Sequence, residues 1–214
     1  MTILALDTSS EFGSLAVRSN GKTIAELAIH SPEGFAHRIF TAIDEVLHAA
    51  EVRLEKIDRF AAASGPGSFT GVRVGLTAIK GLAAATGRPA IGISNLQALG
   101  SFGNLPLRAV VLDARRGEVY AAVYDAKLQP VVPESVAKFS DWLATLSAPL
   151  YEFISPSPLP LDETRFAAMP FLGAPNHLAP AIAYCAEQQQ PQDPATLDAN
   201  YVRRSDAELF WRDA

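Results

Sequence analysis

LALDTSSEFGSLAV, residues 4–17, is an apolar run that ends in Leu-Asp, turns through short polar side chains and a glycine, and resumes as an alternating run. Residues 110–123, VVLDARRGEVYAAV, repeat that plan. Alternation on either side of a short polar turn predicts two strands joined as a hairpin. Asp7 and Asp113 hold matching places in the two copies. Asp after a strand is common at turns, so the shared order of elements around each copy carries more weight than the aspartates alone. It predicts a duplicated fold.

Around the first copy the pattern is clear. Residues 2–8 and 13–19 read as strands, and Asn20-Gly21 is a strong type I′ hairpin signal leading into a third strand over 22–30. In residues 33–51, Phe35, Ile39, Ala42, Ile43, Val46, Leu47 and Ala50 form one apolar stripe at helical spacing. RFAAAS (59–64) reads as a buried strand. A second helix is predicted over about 70–86, stopped by Gly87 and Pro89, and AIGIS (90–94) reads as another strand. A three-strand meander followed by alternating helices and strands predicts a mixed sheet with helices on its faces. This is the order of the ribonuclease H-like unit, which actin-like ATPases use twice. The expectation is an α/β actin-like fold of two βββαβα units, the second reduced. Its boundary falls near 100–107, giving a subdomain over 1–104 and a smaller one over 105–214. In the second half, 140–146 reads as a short helix, 154–166 as a proline-rich irregular connection, and 177–190 as a helix broken near Pro180. NYVRRSDAELF (200–210) closes the chain, and the terminal segment is expected to pack back on the first subdomain.

The chain has 214 residues, 49% hydrophobic and 19% charged, which suits a globular protein with a real core. Its net charge of −5 argues against autonomous nucleic-acid binding, which needs a basic field. One cysteine, Cys185, excludes an intrachain disulfide, and its apolar surroundings predict a packed thiol. MTILALDTSS lacks the basic lead-in of a signal peptide, and no apolar run reaches the ~20 residues of a membrane span. The expectation is a cytoplasmic protein with no membrane contact.

SGPGSFTGVRVGL, residues 64–76, holds the glycines that most invite a chemical reading. A phosphate-cradling P-loop needs Gly-Lys-Ser/Thr, but Val72-Arg73 follow Gly71. A dinucleotide fingerprint needs two residues between its second and third glycines, and Gly67 and Gly71 are separated by three. A nucleophile elbow needs Gly two positions after Ser68, where Thr70 stands. What remains is a strand, a glycine turn and a helix start. Free N–H groups there can hold an anion, or Ser68 or Thr70 can cap the helix. Gly71, Gly75, Ala78, Leu82 and Ala85 share one helix face. Two interior glycines cost about 1 kcal/mol each relative to alanine, and close approach of another backbone would offset that. The packing and anion readings are compatible.

Asp7, Thr8, Ser9 and Ser10 form one polar turn; Asp113, Arg115 and Arg116 form the other. Two such turns clasp phosphates in actin-like kinases, yet the same residues are ordinary turn chemistry. His30, His37, His48 and His177 show no helical ligand pairing, and His37 reads as a surface residue.

Taken in order, ILALDTSS, ASGPGSFTGVRVGL, IGISNLQAL, VVLDARRGEVYAAVYD and NYVRRSDAE resemble the TsaB (YeaZ) family over nearly the whole chain. The resemblance implies a component of the bacterial machinery that makes N6-threonylcarbamoyladenosine in tRNAs reading codons that begin with A. It implies a heterodimer with the catalytic paralogue TsaD, a ternary complex with the ATPase TsaE, and a homodimer through the same first-subdomain helices. The enzyme TsaC supplies threonylcarbamoyl-adenylate, and tRNA contact comes mainly through the complex. The TsaD family carries a metal-binding His-x-x-x-His, and the matching positions here are Asn95 and Leu99. No catalytic residue and no metal are therefore expected. The interface implied is His37, Ile39 and Phe40 with Gly71, Val72, Gly75, Ala78, Ile79 and Leu82. Gly75→Leu is expected to abolish complex formation while leaving the monomer folded. A degenerate nucleotide or anion site for weak ATP or ADP binding is expected at Asp7, Thr8, Ser9, Ser68, Asp113 and Arg115.

Two other readings compete. An autonomous actin-like ATPase or sugar kinase rests on the Asp7 and Asp113 turns. It lacks a recognisable adenosine-binding glycine pair in the short second half. A peptidase finds no elbow, ligand pair or cysteine nucleophile.

Overall fold

The computed structural model describes residues 1–203. Strands β1 (Thr2–Asp7), β2 (Phe12–Ser19) and β3 (Lys22–His30) form the expected meander. Asn20 and Gly21 take φ of 49° and 77°, the left-handed pair a type I′ turn requires. Helix α1 spans Ile39–Ala49, β4 Arg59–Gly65, α2 Phe69–Thr86, β5 Ala90–Ser94 and α3 Asn95–Gly100. In the second half come β6 (Arg108–Asp113), β7 (Glu118–Tyr124), β8 (Pro130–Lys138), α4 (Phe139–Thr145), β9 (Glu152–Ser155), β10 (Phe171–Gly173) and α5 (Ala179–Gln188).

The first sheet has the order β3-β2-β1-β4-β5 and the second β10-β9-β6-β7-β8. Renumbered from its own first strand, the second sheet has the same order as the first. In both, the first three strands are antiparallel and the last two join in parallel. The repeated hairpin is thus the centre of two equivalent sheets.

Strand alternation divides the side chains between layers. Ile3 and Ala5 of β1 face a central core with α3 and α5, where Val110 and Ile154 of the second sheet also pack. Leu4 and Leu6 face the opposite way, under α1 and α2. The far side of the second sheet packs Val111, Val123 and Phe153 against Trp142 and Leu143 of α4. From α5 onward the chain returns to the first sheet. Arg18 of β2 pairs with Glu187 of α5 at 2.9 Å, and a strap over 191–203 follows. Gln192 N–H donates to Ala90 O at 3.0 Å, Lys80 Nζ to Leu197 O at 2.8 Å, and Asn200 N–H to Ser64 O at 2.7 Å. Residues 204–210 of the closing segment lie outside the described residues.

Two local expectations need correction. The helix expected over 33–51 starts only at Ile39. Gly34 sits at φ 87° and its carbonyl accepts from Ser31 Oγ at 2.6 Å, so the chain turns there first. Pro180 lies in the first turn of α5 and does not break it; its missing N–H is no loss at that position. Strands β8, β9 and β10 and the short helix α3, opened by Ser94 Oγ accepting from Leu96 and Gln97 N–H, are additions to the sequence reading. Among the described residues no helix is long and apolar enough to cross a membrane.

Candidate functional site

The glycine loop leaves β4 and lies directly on the β1–β2 turn. Ser68 N–H donates to Ser9 O at 2.7 Å, and Thr8 Oγ1 donates to Gly71 O at 2.7 Å. A Cβ at Gly67 would stand 2.7 Å from Ser9 O, and one at Gly71 only 2.0 Å from Thr8 O. Two backbones touch here, and side chains would hold them apart. Ser68 caps α2, its Oγ accepting from Gly71 N–H at 3.3 Å, while Gly87 closes the helix at φ 67°.

Asn95 ties this contact from below. It is 2% exposed, its Oδ1 accepts from Gly65 N–H at 3.2 Å, and its Nδ2 donates to Ser9 Oγ at 2.5 Å. Ser9 in turn donates to Asp7 Oδ1 from Oγ at 2.6 Å and from N–H at 3.0 Å. Burial pushes the Asp7 carboxyl above its ordinary range, and the Ser9 bonds offset only part of that.

A cleft of about 540 Å³ opens between the two sheets at the ends of β1 and β6. It gathers Asp7, Ser9, Ser68, Asp113 and Arg115, and Asn95 and Tyr120 also line it. Thr8 is not among its lining residues, because its hydroxyl points to Gly71. Arg115 N–H donates to Asp113 Oδ1 at 2.8 Å, and the side chains pair at 3.8 Å. Both are mostly exposed, so that pair contributes little to stability. Arg115 and Arg116 hold φ of 63° and 56°, a left-handed pair of bulky residues at the cleft edge. A second cavity, also about 540 Å³, lies on the other side of the glycine loop, with Asn200, Tyr201 and Arg203 of the strap in its wall.

The outer face of the first sheet carries a third feature. A groove of about 440 Å³ runs between α1 and α2, lined by Ile39, Phe40, Phe69, Val74 and Ala78, with Arg73 and two threonines. Phe40 is 61% and Phe69 50% exposed. Of the residues assigned to an interface from sequence, Phe40 and His37 are exposed, Leu82 is half-buried, and Ile39 and Ala78 form groove floor. Gly71, Val72, Gly75 and Ile79 are buried, and the two glycines need correction. Their close neighbour is Thr8 of the same chain; a Cβ at Gly75 would meet Thr8 Oγ1 at 2.7 Å. Gly75→Leu therefore damages the fold itself and does not selectively remove a partner. Sequence reasoning missed Phe69, Arg73 and Tyr201. The available signal was an aromatic and an arginine at i, i+4 on a helix whose apolar stripe points inward.

Among the described residues no group of three His, Cys, Asp or Glu is disposed to hold a metal. Leu99 is fully buried in the central core. Cys185 is buried in α5, and burial pushes its thiol up to about 12, which keeps it an unreactive packing group.

Two sheets of one strand order, with their first hairpin turns facing each other across a cleft, define a duplicated ribonuclease H-like, that is actin-like, α/β protein. Residues 30–191 match the family described as TsaD, tRNA N6-adenosine threonylcarbamoyltransferase. The chain is 30% identical to the tRNA threonylcarbamoyladenosine biosynthesis protein TsaB of Bacillus subtilis, over 99% of this chain and 98% of that protein. It is 37% identical to TsaB of Escherichia coli over 58% of this chain and 55% of that one. A solved structure of YeaZ from Pseudomonas aeruginosa shares the fold, with a TM-score of 0.72 and 23% identity over 94% of this chain and 99% of that one. The chain belongs to the TsaB family, within the wider family that the TsaD description covers.

Proposed function

We propose that this protein is the non-catalytic partner of TsaD in forming N6-threonylcarbamoyladenosine in the anticodon loop of tRNAs that read codons beginning with A. The observation that carries the reading is the fate of Asn95 and Leu99. They stand where the TsaD resemblance implies metal-binding histidines. Asn95 spends both ends of its carboxamide on Gly65 and Ser9, and Leu99 fills the core. Neither is available to ligate.

TsaD is the heterodimer partner in this reading, and the α1–α2 groove is its docking face. In the absence of TsaD the same apolar face self-associates as a homodimer. TsaE joins as a third component, and with a net charge of −5 the chain leaves tRNA chiefly to its partners. The division into a partner-facing subdomain over 1–104 and a smaller one over 105–214 belongs to the same proposal, as does a cytoplasmic location. The inter-sheet cleft is a relic of an actin-like nucleotide site that retains at most weak ATP or ADP binding. Asp7 is buried there, with one carboxylate oxygen held by Ser9 twice, which does not favour an autonomous ATPase.

The test is tRNA threonylcarbamoylation in a reconstituted mixture of TsaC, TsaD and TsaE from the same organism, with and without this protein. Multiple-turnover product only on its addition is expected. Product that is unchanged by its omission overturns the reading.

A further inference from the structure

Among the described residues, Arg73 is the one charged residue lining the α1–α2 groove. Its guanidinium lies 3.7 Å from the centroid of Phe69, one helical turn earlier. It also donates from Nε and from Nη2 to the Tyr201 phenol oxygen, at 3.0 and 2.7 Å. Tyr201 itself sits 6.0 Å from Phe69, centroid to centroid. These three exposed side chains form one ordered cluster at the groove rim.

The strap fixes that cluster from both sheets. Next to Tyr201, Asn200 N–H donates to Ser64 O of the glycine loop at 2.7 Å. Asn200 Nδ2 donates to Glu134 Oε2 at 2.5 Å, and Glu134 belongs to β8 of the second sheet. The other oxygen of Glu134 accepts from Ser94 Oγ and Tyr124 Oη. The position of the phenol oxygen therefore depends on both halves of the fold.

The donors left over have a definite chemistry. Among the described residues, Arg73 Nη1 makes no hydrogen bond and Arg73 pairs with no carboxylate. The Tyr201 oxygen has accepted two bonds, so its own proton remains to be given. The phenol oxygen occupies the Nε/Nη2 edge of the guanidinium, which leaves Nη1 and the second Nη2 N–H as a planar fork that matches the two oxygens of a carboxylate. Ile39, Phe40, Val74 and Ala78 beside them match an apolar helix face.

We infer that Arg73 is a specificity-determining residue of the docking groove. It pairs with a carboxylate at the edge of an apolar helix face on the partner, and Tyr201 is the positioning residue that aims it. The inference rests on the proposed function, since it takes that partner to be TsaD.

The experiment is calorimetric titration of TsaD into the full chain and into Arg73→Gln, Arg73→Lys and Tyr201→Phe, at low and moderate salt, with the melting temperature of each. For Arg73→Gln the expected result is a loss of affinity of at least about tenfold and a flatter salt dependence. Arg73→Lys keeps the salt dependence but loses affinity, because an ammonium lacks the planar fork. Tyr201→Phe keeps the ring and the melting temperature yet weakens binding severalfold and flattens the salt slope. A merely structural tyrosine would not move that slope. If the wild-type chain binds TsaD and the variants bind equally well, the inference is overturned and the proposed function stands. If the wild-type chain does not bind TsaD, both fall. Variants that weaken self-association in sedimentation but leave TsaD binding unchanged overturn the choice of partner.

Discussion

Asn95 Nδ2 and Ser9 Oγ meet at 2.5 Å, across a separation of 86 residues, where the β1–β2 turn, the glycine loop and α3 come together. The contact is buried, and it links α3, where the resemblance expects a TsaD ligand position, to the turn that carries Asp7. A site that resemblance marks as lost chemistry is in this chain a structural bolt.

Removing that bolt has a measurable cost. Asn95→Ala leaves the Gly65 N–H without its acceptor and Ser9 Oγ without its donor, in a site with 2% exposure at residue 95. A loss of about 2 kcal/mol is expected, read as a lower urea midpoint with an unchanged slope. An unchanged midpoint would mean that water or a shifted loop replaces both bonds.

Glycines 71 and 81 lie on one helix and separate two effects. A Cβ at residue 71 lands 2.0 Å from Thr8 O, whereas one at 81 meets nothing within 4 Å. Gly71→Ala is expected to destabilise by about 3 kcal/mol as the loop and turn are forced apart. Gly81→Ala is expected to stabilise by up to about 1 kcal/mol through helix propensity alone. Thermal melts of the two variants check both signs, and equal shifts would contradict the packing described for Thr8.

Gly71 and Gly75 show where the sequence stops informing. Small residues at helical spacing announce that something approaches α2 closely, but spacing cannot say what. The neighbour is Thr8, 63 residues upstream of Gly71, and the expectation had placed a partner there. The duplicated hairpin was legible because both of its strands alternate against a buried core and the turn residues are chemically distinct. β8 was not, because it is an edge strand that tolerates Pro130 and Pro133 and is exposed along much of its length. β9 is four residues, all buried, and so shows no alternation to read. In the cleft, Asp7 and Asp113 were recognisable as a pair from the repeat, whereas Asn95 reaches it only through the folding of a distant segment.

Phe40 tests the docking face without touching the core. It is 61% exposed at the groove rim, so Phe40→Asp leaves the melting temperature within experimental scatter. Replacing an exposed aromatic anchor by a much smaller, charged side chain is expected to weaken association with TsaD by at least about tenfold. Light scattering of the chain alone should show the proposed homodimer loosening in parallel. Intact association with TsaD would move the interface elsewhere.

Asp7 gives a pH dependence of definite sign. Its folded-state carboxyl is raised above the ordinary value of 3.8, chiefly by burial. In the interval between the unfolded and folded values the native state holds a proton that the unfolded chain has released. Stability from this group is therefore fully present below the unfolded value and is lost as pH rises through the folded one. At neutral pH an ionised Asp7 is a cost to the fold that its Ser9 bonds only partly offset. Asp7→Asn keeps an oxygen for both Ser9 donors and removes the charge. The variant is expected to be more stable than wild type at pH 7, with the difference shrinking steadily as pH falls toward 4. Urea denaturation at a series of pH values measures it. A variant less stable at pH 7 would mean that the charged form is the one the site is built to hold, and would return the cleft to consideration as a working nucleotide or metal site.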